Sequence, residues 1–175
     1  MNPIWFFRKI PFIGLTMLVV MAMQSTFIPV NAKPVINDAA ALAGLKQAKG
    51  VFLLDFQNAR KTAFYLKIIE GTHAGFIRQR VKPDLVLVYI GPTVQFLTTS
   101  PKDEIAMEQE EHLQSIAASL ARLHKLGVRL EVCQVANEVF CVDAKTLFPG
   151  LTAVGDGFIS LIGWQNQGYK LVPVY

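Results

Sequence analysis

The stretch Asp84-Leu-Val-Leu-Val-Tyr-Ile-Gly-Pro92 decides the fold class of this 175-residue chain. Its unbroken apolar run, bounded by a charged residue and a Gly-Pro pair, is typical of a strand buried on both faces. Towards the N-terminus, the run Gly50–Phe56 has the same character, and towards the C-terminus so has Val128–Val135. Strands of this kind occur in parallel sheets covered by helices, so we expect an α/β fold.

Helical patterns separate these strands. Asn58 is placed to cap a helix whose apolar positions recur at helical spacing as far as His73. A second helix is predicted at Ile105–Leu126, and Gly127 stands where a C-cap glycine belongs. The remaining predicted elements are a short helix from Asn137 to about Leu147, a strand at Leu151–Val154, a helix at Phe158–Gln167 and a strand at Tyr169–Val174. This alternation predicts a three-layer α/β/α sandwich around a mostly parallel five-stranded sheet.

The first 32 residues have the three-part layout of a secretory signal peptide. Arg8 and Lys9 form a basic start, Ile10–Met23 is an apolar run too short to span a bilayer, and Val30-Asn-Ala32 fits signal peptidase. We therefore expect an exported protein, with the periplasm as its location and Lys33 as its mature N-terminus. Residues 33–49 form a lead-in with an alanine-rich stretch that can make a short helix, and residues 50–175 form one α/β domain.

The expected mature chain lacks the sequence features of two classes of partner. Removing residues 1–32, which hold two basic and no acidic residues, leaves 15 basic against 13 acidic residues, a net charge of +2. Basic residues do not cluster with aromatic ones, and no second long apolar run follows the leader. The sequence therefore predicts neither a nucleic-acid surface nor a membrane span after cleavage.

Candidate site residues follow the predicted strands. In parallel sheets, ligands collect beyond the carboxyl ends of the strands. The candidate binding residues that follow the strand ends in this chain are Asn58, Gly91, Gln134 and Asn137. Cys133 ends the third strand just before a predicted helix, whose positive end would favour the reactive thiolate. The alternative is that Cys133 is a small buried hydrophobe in the strand.

The second cysteine, Cys141, leaves two interpretations open. The spacing to Cys133 is not that of a redox motif, but the pair could form a disulfide if the short helix folded back over the strand end. Otherwise Cys141 is structural. The three histidines and the acidic residues show no zinc-ligand spacing, and neither a glycine-rich phosphate loop nor a Gly-x-Ser-x-Gly motif occurs. We therefore expect no metal and no cofactor.

Three segments in register resemble the DsrE/DsrF-like family of sulfur-relay proteins, over about Gly50 to Tyr175. They are Asp84–Leu97, Leu123–Cys133 with its Gly-Val and terminal Cys, and Leu147–Tyr169 with its Pro-Gly and Gln-x-x-Gly-Tyr. The resemblance implies a five-stranded α/β/α fold, homo-oligomers, and sulfur carried as a persulfide on Cys133.

These observations favour one function over two others. The first is an exported sulfur-binding or sulfur-transfer protein, a sulfurtransferase or sulfur carrier, in which Cys133 exchanges sulfur with a thiol-bearing donor or acceptor protein. The second is a non-catalytic homo-oligomeric module for assembly or ligand binding. The third, weaker alternative is a thiol–disulfide partner that uses Cys133 with Cys141.

Overall fold

The computed structural model of the chain describes residues 36–174. The expected signal peptide and the first residues of the lead-in lie outside the described residues. Strands and helices alternate along the described part, and 3₁₀ turns occupy Gly91–Phe96 and Ala144–Thr146. The elements are β1 (Gln47–Leu54), α1 (Ala59–Arg78), β2 (Lys82–Tyr89), α2 (Asp103–Lys125), β3 (Arg129–Cys133), α3 (Gln134–Phe140), β4 (Leu151–Val154), α4 (Gly157–Asn166) and β5 (Lys170–Val174).

The predicted fold class is confirmed. Within residues 36–174 the five strands form one sheet in the order β4-β3-β2-β1-β5, and every neighbouring pair is parallel. The chain steps outward from β1 to β4, and α4 then carries it back to β5 on the far side of β1. The sheet is thus wholly parallel, where the sequence predicted a mostly parallel one.

The two faces of the sheet carry different helices. Arg129, Glu131 and Cys133 alternate along β3, and their side chains all meet α4. Residues of the opposite parity, among them Phe52 and Leu85, line a groove together with α1. The helix α2 packs beside α1, and Arg122 joins it to Glu70 of α1 by two hydrogen bonds of 2.8 and 3.1 Å. The three layers are therefore α1 with α2, the sheet, and α4.

The core is centred on β2, which has a strand on each side. Its residues from Leu85 to Tyr89 are at most 3% exposed. Leu66 of α1, and Leu120 and Leu123 of α2, are fully buried and belong to the same hydrophobic core. Asn58 caps α1 as predicted, because its side chain accepts the Lys61 N–H at 3.0 Å. None of the helices that the structure describes is long and apolar enough to cross a membrane.

Some element boundaries differ from the prediction. The alanine-rich lead-in forms turns instead of a helix, and β1 begins at Gln47 because its ladder with β2 starts there. The strand β3 ends at Cys133, the last residue paired with β4, and α3 begins at Gln134. The expectation that Asn137 begins this helix was therefore wrong. Asn137 lies inside α3 and is fully buried, and α3 ends at Phe140 instead of near Leu147.

Candidate functional site

Cys133 lies at the carboxyl end of β3, beneath the first turn of α4. Its side chain is 6% exposed, and the backbone N–H of Gly157 donates a hydrogen bond to its Sγ at 3.2 Å. The sulfur therefore faces the amino end of a ten-residue helix. Unpaired N–H groups and the helix dipole stabilise negative charge at such a position. The arrangement suits a sulfur that becomes anionic.

The close approach of α4 requires glycine at position 157. A Cβ there would lie 2.6 Å from Cγ2 of Ile90 and 3.1 Å from Cβ of Cys133. Asp156 begins the helix, since its carboxylate accepts the Phe158 N–H at 2.7 Å. The sequence Asp-Gly thus starts α4 and also lets its first amide reach the sulfur. Ile90, which follows β2, forms the wall beside it.

Two of the predicted binding residues have other roles in this structure. The side chain of Asn58 is occupied in capping α1, and it lines a small cleft of about 280 Å³ with Gln95 and Glu104. Gly91 has a φ of +54°, and a Cβ there would lie 3.0 Å from Cγ of Asp55. Glycine at this position permits the turn that ends β2. Neither residue makes a described contact with the Cys133 sulfur.

Gln134 and Asn137 lie next to Cys133 in sequence, but their side chains bond to each other and along α3. The Asn137 amide donates to the Gln134 side chain at 3.4 Å, and Gln134 donates to Glu138 at 3.2 Å. The carbonyl oxygen of the Asn137 side chain is buried without a partner among the described residues. The side-chain hydrogen bonds of both residues therefore lie within α3 and do not reach the cysteine.

The structure does not bring the two cysteines together. Cys133 precedes α3, whereas Cys141 follows it as an exposed C-cap with a φ of +57°. The seven residues of α3 lie between them, so their Cα atoms are about 12 Å apart, and a disulfide needs less than about 7 Å. Both thiols are free. A bond between them within one chain would require α3 to unwind.

Sequence reasoning missed the polar contacts that hold α4 to β3. Glu131 accepts hydrogen bonds from the Ser160 hydroxyl and from the Trp164 indole, the latter at 3.0 and 3.1 Å. The guanidinium carbon of Arg129 lies 4.7 Å from the centre of the Trp164 ring, and Arg129 forms an ion pair with Asp84. The signal was present in the sequence, because charged residues at alternate positions of an otherwise apolar strand need partners on one face.

Tyr89 ends β2 but is not part of this site. It pairs with Val132, so its side chain lies on the face opposite Cys133. Burial alone raises the pKa of Tyr89 well above its usual value, and its hydroxyl has no partner among the described residues. The phenol stays neutral and is not placed for proton transfer to the cysteine.

A larger cavity lies on the α1 face of the sheet, away from Cys133. This apolar groove, as we call it here, has a volume of about 740 Å³ and runs between α1 and the β1–β5 edge. Ile68 and Phe76 of α1 and Phe52 and Val172 of the strands line it, and Leu42 of the lead-in also contributes. It exists because no helix of the described residues covers β5 on this face. Among residues 36–174, no group of three or more His, Cys, Asp or Glu side chains could hold a metal.

Comparison with known proteins gives a family and a fold. The model of the DsrE/DsrF-like family matches residues 30–174. None of the curated proteins matches the sequence. The structure is similar to that of MTH1491, a protein of unknown function from Methanobacterium thermoautotrophicum, with a TM-score of 0.57 and 15% identity over 73% of this chain and 99% of that one. It is also similar to the YchN protein of E. coli, with a TM-score of 0.53, 15% identity and the same coverage.

Proposed function

Because the chain belongs to the DsrE/DsrF-like family, we propose that it binds or transfers sulfur through a persulfide on Cys133. The Cys133 thiolate attacks a sulfane sulfur of a donor, such as a polysulfide or a protein persulfide. A new S–S bond forms, the donor S–S bond breaks, and the donor leaves as a thiolate. An acceptor thiolate then attacks the outer sulfur of the cysteine persulfide and releases the Cys133 thiolate, so the cycle needs no external oxidant or reductant.

One observation carries this proposal, the Gly157 N–H directed at the Cys133 sulfur. A hydrogen bond from a backbone amide supports a sulfur anion in the thiolate and also in the leaving-group form of the second step. Cys133 is nearly buried, with only 6% of the residue exposed. The donor must therefore present a narrow group, which a polysulfide or an extended cysteine side chain can do.

Intact mass spectrometry after incubation with inorganic polysulfide tests the proposal. We expect a labile gain of 32 Da, the mass of one sulfur atom, in the wild type and in Cys141→Ser, and no gain in Cys133→Ser. Dithiothreitol should remove the added mass. Wild-type protein that stays at its original mass would contradict the proposal, and loading that survives in Cys133→Ser would place the sulfur elsewhere.

The apolar groove favours a second candidate function, a homo-oligomeric module for assembly or ligand binding. The exposed apolar side chains of α4 support it too, since Phe158, Ile159 and Ile162 are each at least 60% exposed. Large apolar surfaces on a small domain are usually covered by another molecule. Light scattering at micromolar concentration should give a mass of several chains. A mass of one chain, together with no sulfur loading, would leave ligand binding in the groove as the remaining alternative.

We also propose that the protein is exported to the periplasm and is cleaved after Ala32. The basic start, the short apolar run and the Val-Asn-Ala sequence support this. N-terminal sequencing of the protein from the periplasmic fraction should begin at Lys33. Protein that keeps residues 1–32 and sediments with membranes would contradict it.

A further inference from the structure

We propose that Glu131 is a positioning residue, which holds α4 on β3 and so keeps the Gly157 N–H on the sulfur of Cys133. The inference rests on the proposed function, because it concerns the reactivity of the same cysteine. Glu131 and Cys133 lie two positions apart on β3, and both project toward α4. The carboxylate therefore meets the helix one turn beyond the place where the sulfur meets it.

The contacts of Glu131 hold α4 at two points along the helix. Ser160 and Trp164 are four residues apart, so they stand on one face of α4, and both donate to the same carboxylate. Ser160 is three residues from Gly157, whose amide bonds the sulfur at 3.2 Å. A shift of α4 along or away from β3 would stretch the Glu131 bonds and the sulfur bond together.

Apolar packing alone holds α4 weakly. Gly157 and Leu161 are its only buried residues, Trp164 is partly buried against the core, and Phe158, Ile159 and Ile162 are each at least 60% exposed. The carboxylate of Glu131 is thus a principal anchor of the helix. Hydrogen bonds to a charged group contribute more than neutral ones, so their loss should let the start of α4 move.

The sign of the effect separates positioning from simple charge. Glu131 lies about 7 Å from Cys133 along the strand, and a nearby negative charge disfavours a thiolate. If the charge were its only influence, Glu131→Ala would make Cys133 more reactive. If the carboxylate acts by positioning the Gly157 amide, the same substitution makes Cys133 less reactive.

The test uses Cys141→Ser protein, in which Cys133 is the only thiol, and two readouts at known pH. We expect Glu131→Ala to slow the reaction of Cys133 with iodoacetamide about 3- to 10-fold, which corresponds to weakening one charge-assisted hydrogen bond. The amide proton of Gly157 should move upfield in the NMR spectrum, because it loses its hydrogen bond to the Cys133 sulfur. The double variant Ser160→Ala/Trp164→Phe keeps the Glu131 charge and should show the same changes. Asn166→Ala, on an exposed part of α4, is the matched control and should match the parent.

An unchanged or faster reaction in Glu131→Ala would overturn the inference. Should that variant fail to fold by circular dichroism, the double variant decides the question by the same criterion. Polysulfide loading is measured separately. Slower alkylation in the variants with no 32 Da gain in the parent would refute the proposed function and leave the positioning role standing. A 32 Da gain in the parent, together with an unaltered alkylation rate in the variants, would support the proposed function and refute the positioning role of Glu131.

Discussion

Replacing Gly157 by alanine tests whether the sulfur site is packed as closely as the structure describes. The added methyl group would lie 2.6 Å from Cγ2 of Ile90, which is far inside van der Waals contact. Overpacking of this kind costs about 1 to 3 kcal/mol. Alanine in a helix returns at most about 1 kcal/mol relative to glycine. We therefore expect the free energy of unfolding to fall by about 1 to 2 kcal/mol.

Gly163 provides a control in the same helix. A Cβ at position 163 would meet nothing within 4 Å, so Gly163→Ala gains the helix preference without a clash. It should raise the free energy of unfolding by about 0.5 to 1 kcal/mol. Urea denaturation at pH 7 would measure both variants, and the melting temperature of Gly157→Ala should be about 3 to 6 °C lower than that of the wild type.

The reactivity of Cys133 should also depend on the close approach of Gly157. In Gly157→Ala the start of α4 moves away and the hydrogen bond to Cys133 lengthens, so Cys133 should react more slowly with iodoacetamide than in the parent. Ile90→Ala removes the clashing methyl group, and the Ile90→Ala/Gly157→Ala pair should therefore be more stable than the sum of the single effects by about 1 kcal/mol or more. The reasoning is refuted if Gly157→Ala is as stable as Gly163→Ala and its Cys133 reacts with iodoacetamide at the parent rate.

Three further predictions concern other parts of the molecule. Gly91→Ala should destabilise the protein by about 2 to 4 kcal/mol in urea, because φ at that residue is +54° and the new methyl group would meet Asp55; a loss below 0.5 kcal/mol would show that the turn can relax. Burial favours a higher pKa for Glu70, but hydrogen bonds from Arg122 and Ser119 and the charge of Arg122 outweigh it and lower the pKa below the ordinary 4.5. A carboxyl group whose pKa is lower in the folded than in the unfolded protein stabilises the fold at pH values above the unfolded pKa, and this stabilisation is lost as the pH falls through the folded pKa. Glu70→Gln should therefore lower the free energy of unfolding by up to about 1 kcal/mol at pH 7 and by almost nothing near pH 3. An equal decrease at both pH values would contradict the ion pair. Mild oxidation of the native protein should give no intramolecular disulfide, which a loss of 2 Da without dimer formation would disprove.

The strands were predictable because each is a compact apolar run bounded by polar or turn residues. Their order in the sheet was not. The run in β5 looks like an edge strand because of Pro173, but nothing local says that it pairs with β1 on the side opposite β2. That pairing follows from the return of α4 across the other face, which is a property of the whole chain.

The cysteine was predictable as a strand-end residue, but its hydrogen-bond donor was not. The expected donor was the helix immediately after Cys133, whereas the observed amide comes from Gly157, 24 residues later. Asn137 was expected to begin the next helix. The backbone instead enters α3 directly from the strand, so the residue became part of the buried helix face. The apolar groove was not predicted, since it depends on which strand face is left without a helix.

The pairing of β1 with β5 has a consequence for the order in which the protein acquires its structure. Gly50 pairs with Lys170, so the first strand of the domain waits for a partner that is made 120 residues later. Contacts this distant in sequence form slowly, because a long loop must close before they contribute. Until the last strand arrives, α4 is held by its contacts with the earlier strands, among them those of Glu131, but it lacks the connection to β5 at its carboxyl end. We therefore expect a nascent chain, or one cut before Lys170, to hold the Gly157 amide on Cys133 less firmly than the complete domain does.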